Sequence, residues 1–223
     1  YSQVELRVLA NMSGDKTMIK AFNSGVDIHA VTASQVFNVP IEEVTKQMRG
    51  EAKAVNFGIV YGISDYGLAT NIKTSRKKAK EYIEKYFETY PKIKEYMDNS
   101  ISSCKEKGYV ETLWGRRRYV PEIKSNNYNV RQFGERVAMN APIQGTAADI
   151  IKIAMVNIEN ELEERKLQSK LILQVHDELV IETKQEELDV VKELLIRNMQ
   201  NVVKMSVPLQ VDANYGKTWF DAH

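Results

Sequence analysis

Lys170-Leu-Ile-Leu-Gln-Val175-His176-Asp177-Glu178-Leu-Val-Ile-Glu-Thr183 sets two apolar, β-prone runs on either side of two polar residues. That is hairpin spacing, and it predicts strands over 170–175 and 178–183 with a rigid polar tip between them. Upstream, residues 125–129 (Ser-Asn-Asn-Tyr-Asn) read as a loop. A long helical pattern then runs to about Lys166, with an interruption expected near Pro142. Downstream, 185–203 is patterned as an amphipathic helix, and 209–215 alternates like a final strand. The first half differs in kind. Short helical patterns cover 3–11, 17–23, 28–37, 41–62, 75–90 and 91–107, punctuated by Gly14, Pro40, Pro91 and Gly108. Residues 109–114 and 115–121 then look like two extended pieces joined by a turn. The fold class is α+β: a helical block, followed by a block of antiparallel strands and packed helices.

The 223 residues are 43% hydrophobic and 27% charged, an ordinary globular composition that excludes global disorder. Lys plus Arg number 31 against 30 Asp plus Glu, so an acidic partner must be held by local basic clusters and not by the net charge. Cys104 is the one cysteine, which excludes an internal disulfide and a multi-cysteine zinc site and favours a reducing compartment. No apolar run approaches the roughly 20 residues needed to span a bilayer, so no membrane association is expected. The chain opens at Tyr1-Ser-Gln-Val-Glu without an initiator Met, and it reads as a fragment of a longer polypeptide.

Four constellations bear on chemistry. Arg49, Lys53, Phe57 and Tyr61 recur every fourth residue, so on a helix they share one face about 18 Å long. A ligand with an anionic end and a flat end, such as a nucleoside triphosphate, suits that face. A surface helix with its aromatics turned into the core has the same pattern. Gly58 and Gly62 permit a close approach there. At the hairpin tip, Asp177 and Glu178 form a candidate hard-oxygen site for Mg²⁺, although Asp is also a common turn residue. Arg136, Asn140 and Gln144 again recur every fourth residue. They could read minor-groove acceptors, or they could form a solvated stripe. Gly115-Arg116-Arg117-Arg118 could neutralise phosphates, or it could be a plain basic surface. His29 could donate to a phosphate, and Cys104 reads as a small helix residue without catalytic duty.

Taken in order, Tyr1-Ser-Gln-Val-Glu5-Leu-Arg, the Arg49/Lys53/Phe57/Tyr61 helix, Gln144-Gly-Thr-Ala-Ala-Asp149 and Val175-His-Asp-Glu178 closely resemble the motifs of family A DNA polymerases, over essentially the whole chain. The resemblance implies a palm segment over 1–12, fingers over 13–125 and palm over 126–223. It implies a DNA-directed DNA polymerase (a nucleotidyltransferase) acting in replication and repair. Its partners would be primer-template DNA and deoxynucleoside triphosphates, its cofactor two Mg²⁺ ions, and its location the bacterial cytoplasm. It assigns Asp177, Glu178 and the Tyr1 backbone carbonyl to metal. Gln3, Glu5, His29, Arg49, Lys53, Phe57 and Tyr61 are assigned to the nucleotide, with Glu5 as steric gate and Lys53 as proton donor to pyrophosphate. Arg136, Asn140, Gln144 and His176 are assigned to DNA.

The family's other metal-binding aspartate stands just before Tyr-Ser-Gln. The 223 residues alone are therefore expected to be inactive, with the N-terminal half of the same polymerase as a needed partner. Two other readings are a single-subunit RNA polymerase of the phage type, against which Phe57 and Glu5 argue, and a non-catalytic nucleic-acid-binding half of a split polymerase.

Overall fold

The structure is a computed structural model that describes residues 1–222. Helices α1 (Val4–Ser13), α2 (Lys16–Asn23), α3 (Ile28–Phe37), α4 (Lys46–Val60), α5 (Asp65–Asn71), α6 (Arg76–Thr89) and α7 (Pro91–Lys107) fill the first half. Strands β1 (Tyr109–Glu111) and β2 (Arg117–Tyr119) pair antiparallel. Helix α8 (Tyr128–Glu164) leads to the antiparallel pair β3 (Lys170–Val175) and β4 (Glu178–Glu182). Helices α9 (Leu188–Gln200) and α10 (Trp219–Ala222) follow. This is the expected α+β architecture, mostly helical with two small antiparallel sheets. Among the described residues no helix is long and apolar enough to cross a membrane.

The glycine stops at Gly14 and Gly108 fall where the sequence predicts them, and the structure adds side-chain caps. Asp15, Asp27, Thr45, Ser64, Ser75 and Asn127 cap their helices through side-chain oxygens. Gly14 and Gly108 close α1 and α7 in the left-handed conformation, with φ of 64° and 81°.

Three expectations need correction. The helical run over 41–62 is a 3₁₀ turn (Ile41–Glu43) and then α4, because Thr45 offers its side chain as a cap and starts a new helix. Helix α8 is not interrupted at Pro142. The missing N–H costs one ladder bond, but Ala138, Ala141, Pro142 and Ile143 are all buried, and packing on α7, β1 and α1 holds the helix continuous. Residues 209–215 form no strand. Leu209 and Val211 are buried while Gln210 and Asp212 are exposed, so the alternation is real, yet the segment joins no sheet ladder. Its backbone hydrogen bond from Ser2 N to Gln210 O is the single one of that kind among the described residues. Helix α5, seven residues long, carried no periodicity that the sequence could display.

Three apolar cores lie along α8. One, around Ala138 and Ala141, takes Cys104, Val110, Val120 and Ile123. The largest takes Ile143 and Ile150 with α1 and the helices of the first half. The third takes Ile151, Ala154, Ile158 and Leu162 with the β3–β4 hairpin and α9. Gly134 lets the backbone of the Pro121–Lys124 turn press on α8, since a Cβ there would sit 2.7 Å from Ile123 N.

Two buried charged groups join distant parts of the chain. Arg7 donates to Ser2 O (2.9 Å), Pro208 O (2.7 Å) and Gln210 Oε1 (2.7 Å), and its guanidinium lies 4.7 Å from the Phe22 ring centroid. Asp15 accepts from Thr17 N and Met18 N through Oδ1, and from Lys92 N through Oδ2 at 3.1 Å. One carboxylate thus caps α2 and meets the first turn of α7. Removing it with Asp15→Ala should cost about 2–4 kcal/mol, because a buried cap and a second buried backbone donor are both lost. Asp15→Asn, which keeps one acceptor oxygen, should cost less. Urea unfolding midpoints of the two variants check this order.

Candidate nucleotide and nucleic-acid site

Helix α4 carries the groove face. A cavity of about 660 Å³ is lined by Lys53, Phe57, Tyr61, Ile63 and, across from them, Arg136 of α8. The helical spacing therefore brings three of the four residues, Lys53 and Phe57 on α4 and Tyr61 just past its end, into one concavity. Arg49, one turn earlier, is turned to Asp27, donating through Nε (2.8 Å) and Nη2 (2.6 Å) to the same carboxylate oxygen. The other Asp27 oxygen accepts from His29 N and Ala30 N at the start of α3. Burial opposes the charge on Asp27, yet the Arg49 guanidinium and these backbone donors hold it below the ordinary carboxylate range.

His29 is buried beside the same face, its ring 5.7 Å from that of Phe57. Its Nδ1 lies 3.1 Å from Asn56 Nδ2, and Asn56 bonds Thr32, whose hydroxyl lies 3.2 Å from Tyr90 Oη. Burial pushes His29 down to about 4, against the pull of Asp27, and the nearby charges of Arg49 and Lys53 push the same way as burial. Sequence reasoning found His29 but missed Asp27, Asn56 and Thr32. The available signals were an Asp at a helix start and two polar residues on otherwise apolar helix faces.

The C-terminal end of α4 is tethered on two sides. Tyr61 Oη donates to Glu5 Oε2 at 2.8 Å and also bonds the Gln144 side chain. Asn140 Nδ2 donates to Val60 O at 3.1 Å. Gly62 has a φ of 66°, and a Cβ on it would meet Met139 and Arg136 at 2.8 and 2.9 Å. The close approach permitted by Gly62 is thus made by α8 side chains. Gly58 makes room for Ile63, whose Cγ2 would lie 2.6 Å from a Cβ. Burial raises Glu5 above the usual carboxylate range, the Tyr61 hydroxyl works against that, and the charge of Asp177 adds to it. Glu5 is therefore within electrostatic reach of both the groove and the hairpin tip.

At that tip His176 is exposed and held at a φ of 52°, a left-handed conformation that costs a β-carbon residue roughly 1–2 kcal/mol. Gln174 Nε2 donates to His176 O at 2.7 Å. Tyr1 N donates to Asp177 O at 2.9 Å, which sets the start of α1 against the hairpin. Trp219 Nε1 donates to Glu178 Oε1 at 2.5 Å, a contact 41 residues away that no local pattern announces. Gln3 caps α1 with a φ of 55°, two residues from the hairpin contact of Tyr1. Among the described residues no three His, Cys, Asp or Glu side chains gather round a metal position. Asp177 and Glu178 are hard oxygen donors of the type Mg²⁺ takes, in the one-or-two-carboxylate number it uses beside substrate phosphates.

The arginine triplet serves the fold. Arg116 donates to Asp149 Oδ1 (2.8 Å) and Gly145 O (2.9 Å), and Arg117 donates to Glu111 and lies over the Tyr109 ring. Arg118 is exposed, and Cys104 is buried in the core.

The His29 environment has a thermodynamic consequence. Its folded pKa of about 4 lies below the unfolded value near 6.5, so its contribution is intact above pH 6.5 and is lost as pH falls toward 4. The loss should total about 3 kcal/mol. Unfolding free energies measured from pH 7 down to pH 4 should fall less steeply in His29→Gln than in the unsubstituted protein.

Comparison with known proteins accords with this geometry. Residues 1–221 match the family described as DNA polymerase family A. DNA polymerase I of Caldicellulosiruptor bescii is 57% identical over 221 residues, 99% of this chain and 26% of that protein. DNA polymerase I of Geobacillus stearothermophilus is 56% identical over 222 residues, 100% of this chain and 25% of that one. The chain thus spans about a quarter of the length of these relatives. Among solved structures, the polymerase domain of Pol1 from M. smegmatis, in complex with DNA primer-template and dNTP, superposes with a TM-score of 0.96 at 44% identity, covering 100% of this chain and 39% of that one. A full-length match to the family, relatives above 50% identity and the shared fold lead to one conclusion: this chain belongs to DNA polymerase family A.

Proposed function

We propose that this chain supplies the nucleotide-binding face and part of the catalytic centre of a DNA-directed DNA polymerase that adds deoxynucleotides to a primer 3′-hydroxyl. The observation that carries the reading is the convergence of Lys53, Phe57, Tyr61 and Arg136 on one groove, with Glu5 between that groove and Asp177. The presence of DNA primer-template and dNTP in the M. smegmatis structure supports the same partners here. The division into palm (1–12), fingers (13–125) and palm (126–223) is proposed on the same footing, with α1 packed against α2, α7 and α8 at the junction.

The roles follow from charge and reach. Arg49, Lys53 and His29 hold the triphosphate through charge-assisted or neutral hydrogen bonds, and Arg49 exchanges the Asp27 carboxylate for phosphate oxygens as it does so. Phe57 packs an apolar ring on the sugar and base, and Glu5 crowds the 2′ position. Gln3, at the start of α1, meets the nucleotide beside Glu5, and Tyr61 guards the template side. Arg136, Asn140, Gln144 and His176 meet the primer terminus and the minor groove. The primer 3′-hydroxyl loses its proton to solvent as its oxygen attacks the α-phosphorus, the bond to the pyrophosphate oxygen breaks, and Lys53 protonates the departing pyrophosphate. Asp177, Glu178 and the Tyr1 carbonyl would hold Mg²⁺ beside substrate phosphates, where the metal would supply charge neutralisation to the reacting phosphate.

Lys53→Ala in the polymerase that carries this chain should slow single-nucleotide incorporation by about 100-fold or more, the loss of a charge-assisted contact together with a general acid. Unchanged incorporation and unchanged nucleotide affinity would overturn the assignment of α4. The 223 residues by themselves should not extend a primer, since they gather no third metal-binding side chain beside Asp177 and Glu178 among the described residues. Primer extension with Mg²⁺ and with Mn²⁺, beside a longer polypeptide that includes the upstream polymerase residues, tests this. Equal rates from both would show the metal ligands to be misassigned.

A further inference from the structure

The buried polar group behind the nucleotide face has no place in the roles above. Asn56 lies on α4 between Val55 and Phe57, yet it is fully buried and turned toward α3. Its Nδ2 lies 3.1 Å from both His29 Nδ1 and Thr32 Oγ1, its Oδ1 accepts from Thr32 Oγ1 at 3.2 Å, and Tyr90 Oη closes the group at 3.2 Å from the same hydroxyl. An amide nitrogen has hydrogens and no usable lone pair, so the ring atom facing it must be the acceptor. A neutral imidazole that accepts at Nδ1 carries its proton at Nε2.

The second ring nitrogen completes the argument. Nε2 has no hydrogen-bond partner among the described residues. The side-chain atoms there that are both sealed from solvent and unpartnered are Tyr86 Oη and Asp149 Oδ2, so Nε2 keeps solvent contact although His29 as a whole is only 2% exposed. The ring is thus fixed at its inner nitrogen and accessible at its outer one, beside Phe57 and within the field of Arg49 and Lys53.

We infer that Asn56 is a positioning residue for nucleotide binding: together with Thr32 and Tyr90 it locks His29 as the neutral Nε2–H tautomer, so that the ring meets the triphosphate as an uncharged donor of fixed direction. The inference rests on the triphosphate reading of this face. It assigns the positive charge at the site to Arg49 and Lys53 alone, with His29 supplying geometry. The groups facing the ring agree with this. Asp27 on its own helix turn favours a proton, but one oxygen accepts from two backbone N–H groups and the other is held by Arg49 until nucleotide binds. Arg49 and Lys53 on α4 oppose a second cation, and the Tyr90 hydroxyl is neutral.

The direct test is ¹⁵N NMR of the histidine-labelled polymerase that carries this chain, with the His29 resonance identified through His29→Gln. A pyridine-like Nδ1 and a pyrrole-like Nε2, unchanged from pH 6 to pH 8, are expected. A protonated Nδ1, or titration within that range, would overturn the inference. Asn56→Asp gives the second measurement, because a carboxylate draws a proton to Nδ1 and makes the ring cationic. Its dNTP affinity should become about tenfold tighter at pH 6 than at pH 8, relative to the unsubstituted enzyme. Primer-template affinity should stay unchanged. A pH profile identical to that of the parent would overturn the inference. Thr32→Val, which removes only the hydroxyl that orients the amide, should give a mixture of tautomers and replaces Asn56→Asp if that variant does not fold. If His29→Ala leaves dNTP affinity unchanged, the positioning role falls together with the triphosphate reading. If His29→Ala weakens dNTP binding but Nδ1 proves protonated, the tautomer lock alone falls.

Discussion

Helix α8 has to run unbroken through Pro142, and most of the molecule is arranged on that condition. Its 37 residues make a rod about 55 Å long that takes part in all three apolar cores in turn. A proline within a helix costs roughly 3 kcal/mol. Full burial of a single isoleucine returns about 1.5–3 kcal/mol, and α8 buries Ile143, Ile150, Ile151 and Ile158. Burial therefore outweighs the broken ladder. Where neighbours must come closest the helix has glycines: Gly134 beneath the Pro121–Lys124 turn, and Gly145 beneath Thr112, where Arg116 also grips the helix carbonyl. A rod held this firmly presents Arg136, Asn140 and Gln144 as a fixed stripe, one turn apart, opposite the far end of α4.

Helix α4 is held differently at its two ends. Near its start, the surface pair of Arg49 and Asp27 holds a cation by a carboxylate that sits at a helix N-terminus. Its end is held by Asn140, Gln144 and Glu5 from two other helices. Several groups with an affinity for anions or nucleic acid are thus already satisfied by protein. Binding exchanges one set of hydrogen bonds for another, so selectivity depends on geometry and on the charge left over.

How much of this was legible in the sequence follows from the range of each interaction. The hairpin at His176-Asp177 and the glycine stops at Gly14 and Gly108 are local, and all could be read directly. The stripe of Lys53, Phe57 and Tyr61 is a helical repeat and could be read too. The continuity of α8 could not, because proline's local cost is visible in sequence whereas the burial that offsets it belongs to elements far away. Residues 209–215 misled for a related reason: alternating burial was correctly read, but a strand also needs a neighbour, and sequence does not show neighbours. At the site, the residues that would face a ligand were found and the ones that hold them in place were not. Asn56, Thr32 and Asp27 have meaning only through His29 and Arg49, and Trp219 only through Glu178.

The clamp formed by Arg7 bears on how the chain is made. Its partners Pro208 and Gln210 lie 201 and 203 residues further along, and α1 packs at the centre of the largest core. At about 5–20 residues per second, a ribosome needs roughly 10–40 seconds to add the intervening stretch. Throughout that time the guanidinium has no permanent seat, although α2 through α8, all made before Pro208, can already cover the apolar side of α1. Helix α1 is thus made well before the distant partners that finish its packing.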